Sequence, residues 1–122
     1  MEKQPLINKI NQAFAGVKLE DGVGLWEAQG LDDRLTADEC QKLRSKDEKE
    51  DWSRIPLIDL YKCNTSLSFF DAKRMRFHLP IFLLFALGVF KEEEEKLIEQ
   101  GLIRNYMEPD IEFHLISGLS YI

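Results

Sequence analysis

Histidine is the residue type most ready to do chemistry at neutral pH, and this chain holds two, His78 and His114. Each falls where apolar and polar residues alternate, in Met75-Arg76-Phe77-His78-Leu79 and in Ile111-Glu112-Phe113-His114-Leu115. Alternation puts successive side chains on opposite faces of a strand, so both imidazoles point away from the apolar side. If these strands are neighbours, the two histidines come close, with Ser66 and Ser68 nearby. A metal site would need a third ligand, and the spacing nominates none. The plainer reading is a pair of ordinary histidines. Asp71 reads as a turn residue bonding backbone N–H groups a few positions on, ahead of a catalytic carboxylate. Cys63, followed by Asn64-Thr65-Ser66, has no nucleophile motif around it. No glycine-rich phosphate loop and no standard catalytic motif is present. No catalytic residue, metal ligand or cofactor is assigned.

Two clusters of charge remain. Lys73, Arg74 and Arg76, joined by Lys62, form a basic group whose plain reading is a solvated turn. Glu92, Glu93, Glu94 and Glu95 are the sharpest acidic feature. Their plain reading is the solvated start of a helix, where carboxylates suit the positive end of the dipole. Their functional reading is a partner-binding surface for a basic protein.

The elements that position these residues are read from periodicity. Leu67 and Phe69 alternate with Ser66 and Ser68, and Met75, Phe77 and Leu79 alternate with Arg76 and His78. A three-residue turn, Ala72-Lys73-Arg74, then pairs Phe69 with Phe77 and Leu67 with Leu79, giving a β-hairpin. That turn asks Arg74 for a positive φ, at a cost of roughly 1–2 kcal/mol. Pro80 cannot donate to a ladder, so pairing ends there, and it suits the first turn of an apolar helix toward Val89. Residues 111–116 supply a third strand, which a lone hairpin needs in water. Lys3 to Phe14 spaces Leu6, Ile7, Ile10 and Phe14 at helical intervals. Leu25 to Ala28 reads as a short helical turn before Gly30. Thr36-Ala37-Asp38-Glu39 is a capping box opening a helix toward Ser45. Lys46 to Asp51 is nearly all charge and reads as a solvated helix end or loop. Trp52 begins a second amphipathic stretch through Ile55, Leu57, Ile58, Leu60 and Tyr61. Lys91 to Gln100 reads as a helix stopped by Gly101. The expected fold class is α+β: a small antiparallel sheet, hairpin plus C-terminal strand, packed against several helices.

The hairpin segment also resembles a family of short bacterial proteins known only as a domain of unknown function. The shared pattern is Leu-Ser-Phe-x-Asp-Ala…Arg-Phe-x-Leu-Pro. It stands here as Leu67 to Asp71, Ala72, Arg76, Phe77, Leu79 and Pro80. Trp52, Ile55-Pro56 and Ala13-Phe14 match further features of that family. The resemblance covers the chain up to about Pro80 and is weak beyond. Two departures stand out: Arg74 where the family has glycine, and an ending at Tyr121-Ile122 where the family continues into a further helix. Either a shortened natural variant or an exposed apolar groove where that helix would pack, able to dimerise, is expected. The resemblance implies an α+β fold and a bacterial source, and implies no activity.

Length and charge bound the function. A chain of 122 residues makes one domain, 1–122. A net charge of −6 argues against nucleic acid or an anionic membrane as partner. The two cysteines, Cys40 and Cys63, lack CxxC or zinc spacing and read as reduced thiols of a cytoplasmic protein. Met1 to Pro5 leads into no signal sequence. The apolar run from Leu79 to Phe90 falls far short of the ~20 residues of a membrane span. Three function classes follow. The first is a non-enzymatic cytoplasmic protein-binding module, such as an immunity- or antitoxin-like inhibitor of a basic toxin. The others are a small enzyme with a site around the two histidines, and a structural homodimer subunit.

Overall fold

The computed structural model describes residues 3–20, 22–64 and 72–106, and for 72–74 the backbone alone. Among these residues six helices follow in order: α1 Gln4–Ala13, α2 Leu25–Asp32, α3 Ala37–Arg44, α4 Leu57–Lys62, α5 Ala72–Ala86 and α6 Lys91–Glu99. A 3-10 turn, Trp52–Arg54, links α3 to α4. No strand occurs among the described residues, so the expected α+β architecture with its antiparallel sheet is corrected to a helical one.

The correction turns on α5. Met75, His78, Phe82 and Phe85 recur at steps of three and four and are all buried; Phe77, Ile81 and Leu84 make a second buried stripe. A helix buried over so wide an arc has no clean amphipathic period. Over five residues its apolar positions imitate a strand. Pro80 lies inside α5 and is itself buried. Its missing N–H removes the helical bond to the Arg76 carbonyl, at ~3 kcal/mol. Burial of Phe77, Ile81 and Phe82, at roughly 1.5–3 kcal/mol each, offsets that cost. Arg74 is helical, so the turn that asked it for a positive φ is absent; Glu20 and Arg34 are the described non-glycine residues with positive φ. The other hairpin arm, the third strand at 111–116 and the groove expected near the C-terminus lie outside the described residues.

The remaining helices follow local rules more closely. In α1, Ile10 is buried, with Ile7 and Phe14 packed partly against the core; Leu6 stays exposed. The Trp52 indole N–H donates to the Phe14 carbonyl at 2.9 Å, capping the end of α1 from the 3-10 turn. In α3 both halves of the capping box form. The Glu39 N–H donates to Thr36 Oγ1 at 3.2 Å, and the Thr36 N–H donates to Glu39 Oε1 at 3.2 Å. Helix α2 runs through Gly30, where the sequence suggests a break. A Cβ there would stand 2.8 Å from Leu43 Cδ1 and 3.2 Å from Cys40 Sγ, so glycine lets α2 and α3 approach. Helix α6 begins at Lys91 and stops before Gly101, as read from the sequence.

Packing centres on α5. Helix α1 and the Trp52 turn lie against it, α2 pairs with α3, and α4 pairs with α6. The core joins Leu19, Trp52, Leu60, Tyr61, Phe77, Phe82 and Phe85, with Tyr61 edge-on to Phe85 at 5.8 Å between ring centroids.

Candidate functional site

A polar cluster gathers around the start of α2, and the sequence reading missed it. The first turn of a helix presents backbone N–H groups with no helical acceptor. Gly24, at the N-cap, brings no side-chain oxygen of its own. Asp47, from the loop after α3, supplies the acceptor. The Trp26 N–H donates to Asp47 Oδ1 at 2.6 Å and the Glu27 N–H to Oδ2 at 3.4 Å. Glycine at position 24 is what admits this carboxylate, since a Cβ there would lie 2.1 Å from Asp47 Cγ.

The side chain of Trp26 is held as firmly as its backbone. Its indole N–H donates to Asp59 Oδ2, on α4, at 3.2 Å. The Lys46 ammonium sits over the ring, 4.7 Å from its centroid. Beside the tryptophan, Arg44 on α3 pairs with Glu27 on α2 at 3.0 Å. Trp26 is therefore fixed by one carboxylate at its backbone, another at its ring nitrogen and a cation on its face.

Trp26, Lys46, Asp47 and Asp59 line a cleft of about 240 Å³ together with Glu48 and Arg54, and His78 borders it. His78 is fully buried, its ring edge-on to Phe77 at 5.0 Å, and does not point to a wet face as the strand reading expected. Burial pushes the Asp47 carboxyl up to about 6, against the lowering effect of the two backbone N–H donors. Burial also raises Asp59, and the Trp26 indole N–H, Lys62 and Lys46 pull it back. Both carboxylates are thus costly half-buried anions beside an aromatic face.

The residues singled out from the sequence are dispersed. Glu92, Glu93 and Glu95 are exposed on the first turns of α6. Glu94 is half-buried and accepts a hydrogen bond from the Tyr61 hydroxyl, so one of the four is committed to tying α6 to α4. Cys63 is fully buried, and desolvation drives its thiol far above the usual range, opposite to what a nucleophilic thiolate needs. Cys40 and Cys63 are both free and buried. Arg76 is exposed on α5, and Lys62 is half-buried at the end of α4. Ser66, Ser68, Asp71 and His114, and the side chains of Lys73 and Arg74, lie outside the described residues. Among the described residues no three His, Cys, Asp or Glu side chains come together to hold a metal ion, and no helix is long and apolar enough to cross a membrane.

One signal for the cleft was present in the sequence. A helix whose N-cap is glycine must find its acceptors elsewhere, and Asp47 is the carboxylate that reaches it. Nothing local identifies that carboxylate, because 21 residues separate Asp47 from Trp26 and 33 separate Asp59 from it.

No curated protein and no solved structure matches the chain. Residues 2–117 match the DUF6714 family, a family of unknown function, in a match that runs well past Pro80. The chain belongs to that family.

Proposed function

We propose that this protein is a non-enzymatic binding module that receives a basic protein partner on the exposed face of α6. The observation that carries the reading is Ile98. It is 60 % exposed, the most exposed large apolar side chain among the described residues. One helical turn before it stand Glu94 and Glu95, and Leu102, 47 % exposed, follows just past the end of α6. Glu92, Glu93 and Glu99 are exposed elsewhere on α6. An apolar knob with a carboxylate rim fits a partner that pairs an apolar contact with lysines and arginines. A net charge of −6 steers such a partner toward the molecule. Beside the knob, Tyr61, Glu94, Ile98, Ile103, Arg104 and Tyr106 line a groove of about 420 Å³, into which a partner side chain fits.

An immunity- or antitoxin-like inhibitor covering a basic toxin in a bacterial cytoplasm is the role this chemistry suits best. The two free, buried thiols support a reducing compartment. The enzyme reading draws less support, since His78 borders the cleft without any exposed surface and Cys63 is held as a thiol.

The test is a comparison of affinity captures from the source cell with the wild-type chain and with Ile98→Lys. Ile98 is exposed, so the substitution leaves the fold intact. A basic protein captured by the wild type and lost from Ile98→Lys is expected. Identical captures, or a captured partner that is acidic, contradict the reading.

A further inference from the structure

We propose that the cleft at the start of α2 recognises an alkylammonium group, and that Lys46 is its built-in occupant. The inference is independent of the α6 surface. A cation already lies where such a ligand would: the Lys46 Nζ is 4.7 Å from the Trp26 ring centroid. An ammonium over a tryptophan face is attracted by the ring quadrupole, most strongly where water is partly excluded. Asp59, bound through Oδ2 to the Trp26 indole N–H, fixes both the ring and a negative charge beside that position. Asp47, bound to the backbone of the same tryptophan, adds a second half-buried carboxylate. The ring is therefore pre-positioned before any ligand arrives.

The lining argues for this chemistry over others. An anion would meet Asp47, Glu48 and Asp59, and Arg54 is engaged at 3.7 Å by Asp51. A metal ion would need a clustered ligand set, which the described residues lack. A volume of about 240 Å³ suits a short amine. Lys46 itself is exposed and sits on the loop after α3, so its ammonium can swing into water when another takes its place. A tethered group competes at an effective concentration in the millimolar range, so wild-type affinity for a free amine is reduced by the presence of Lys46.

The indole N–H resonances report the outcome directly. Trp26 and Trp52 are the chain's two tryptophans, and Trp52, bonded to the Phe14 carbonyl in the core, is an internal reference. n-Butylammonium chloride is titrated into the 15N-labelled wild-type chain, Lys46→Ala and Lys46→Ala/Asp59→Asn. Sodium chloride and n-butanol serve as controls. A saturable shift of the Trp26 signal alone is expected, about ten-fold tighter in Lys46→Ala than in the wild type. In the double variant the affinity falls about ten-fold. A parallel titration with Nα-acetyl-lysine N-methylamide separates two sources of the ammonium. Binding of both probes indicates a lysine side chain, and binding of butylammonium alone indicates a free small amine; either supports the proposal. The proposal is overturned if butylammonium gives no saturable shift in Lys46→Ala, if n-butanol reproduces the shift, or if Trp52 moves equally.

Discussion

Asp47 and Asp59 spend oxygens on Trp26, whereas Glu92, Glu93 and Glu95 hold theirs out to water on α6. The first group is assembled from one loop and two helices. The second lies within the first two turns of one helix. Assembled carboxylates are partly stripped of water and bound to fixed donors, so their ionisation is tied to the fold. Those on α6 are solvated, add little to stability and remain available to a partner. Acidic residues alike in type thus divide between holding a tryptophan in place and presenting charge, and burial decides which.

The largest effect tests whether both regions rest on one core. Phe77 is fully buried in α5, with His78 of the cleft beside it. Phe77→Ala is expected to cost roughly 3–5 kcal/mol in chemical denaturation, a large share of a small domain's stability. A cost near 1 kcal/mol would mean that α5 is not the central element.

Gly24→Ala separates the regions. The added Cβ would overlap Asp47, so the carboxylate must leave the first turn of α2. A loss of about 1–2 kcal/mol is expected, the usual worth of a helix cap. The Trp26 indole resonance should shift, and signals from α6 should stay in place. Movement confined to α6 would break the comparison.

A pH titration sharpens it further. Asp47 has a folded-state pKa of about 6, above its ordinary 3.8. Between those values the folded state holds more protons than the unfolded state, so this group's contribution to stability falls as pH rises through the window and is lowest above about 6. Moving from pH 7 to pH 5 should therefore gain stability from Asp47, and Asp47→Asn should remove that gain. Denaturation midpoints at both pH values check this; an equal pH dependence in wild type and variant would contradict it.

Legibility followed the same divide. The Thr36–Glu39 capping box and the acidic start of α6 were readable because every partner lies within one helical turn. Trp52 and Ile10 were readable as core from their spacing. Helix α5 was not, because Met75, Phe77 and Leu79 satisfy a strand period inside a helix buried on most sides, and because Pro80 looked like an end to pairing. The Trp26 cleft was not readable either. The run 46–51 looked like solvent-exposed charge, while Asp47 within it is directed inward to cap a helix two elements earlier. Tertiary capping of this kind leaves only a glycine at the N-cap as its trace. Among the four glutamates, the bond that Glu94 accepts from Tyr61 was not readable either, since it depends on the packing of α4 against α6.

The smallest effect on the fold is expected from Glu92→Gln/Glu93→Gln/Glu95→Gln, about 1 kcal/mol or less, from weaker pairing with the helix dipole. The same variant gives the most direct test of the proposed function: its association rate with the captured partner, measured against ionic strength beside the wild type. Steering by exposed charge acts mainly on association and is screened by salt. The wild type should associate faster at low salt, with a steep salt dependence, and the triple variant should be slower with a flatter one. Equal rates and equal salt slopes would contradict a basic partner docking on α6.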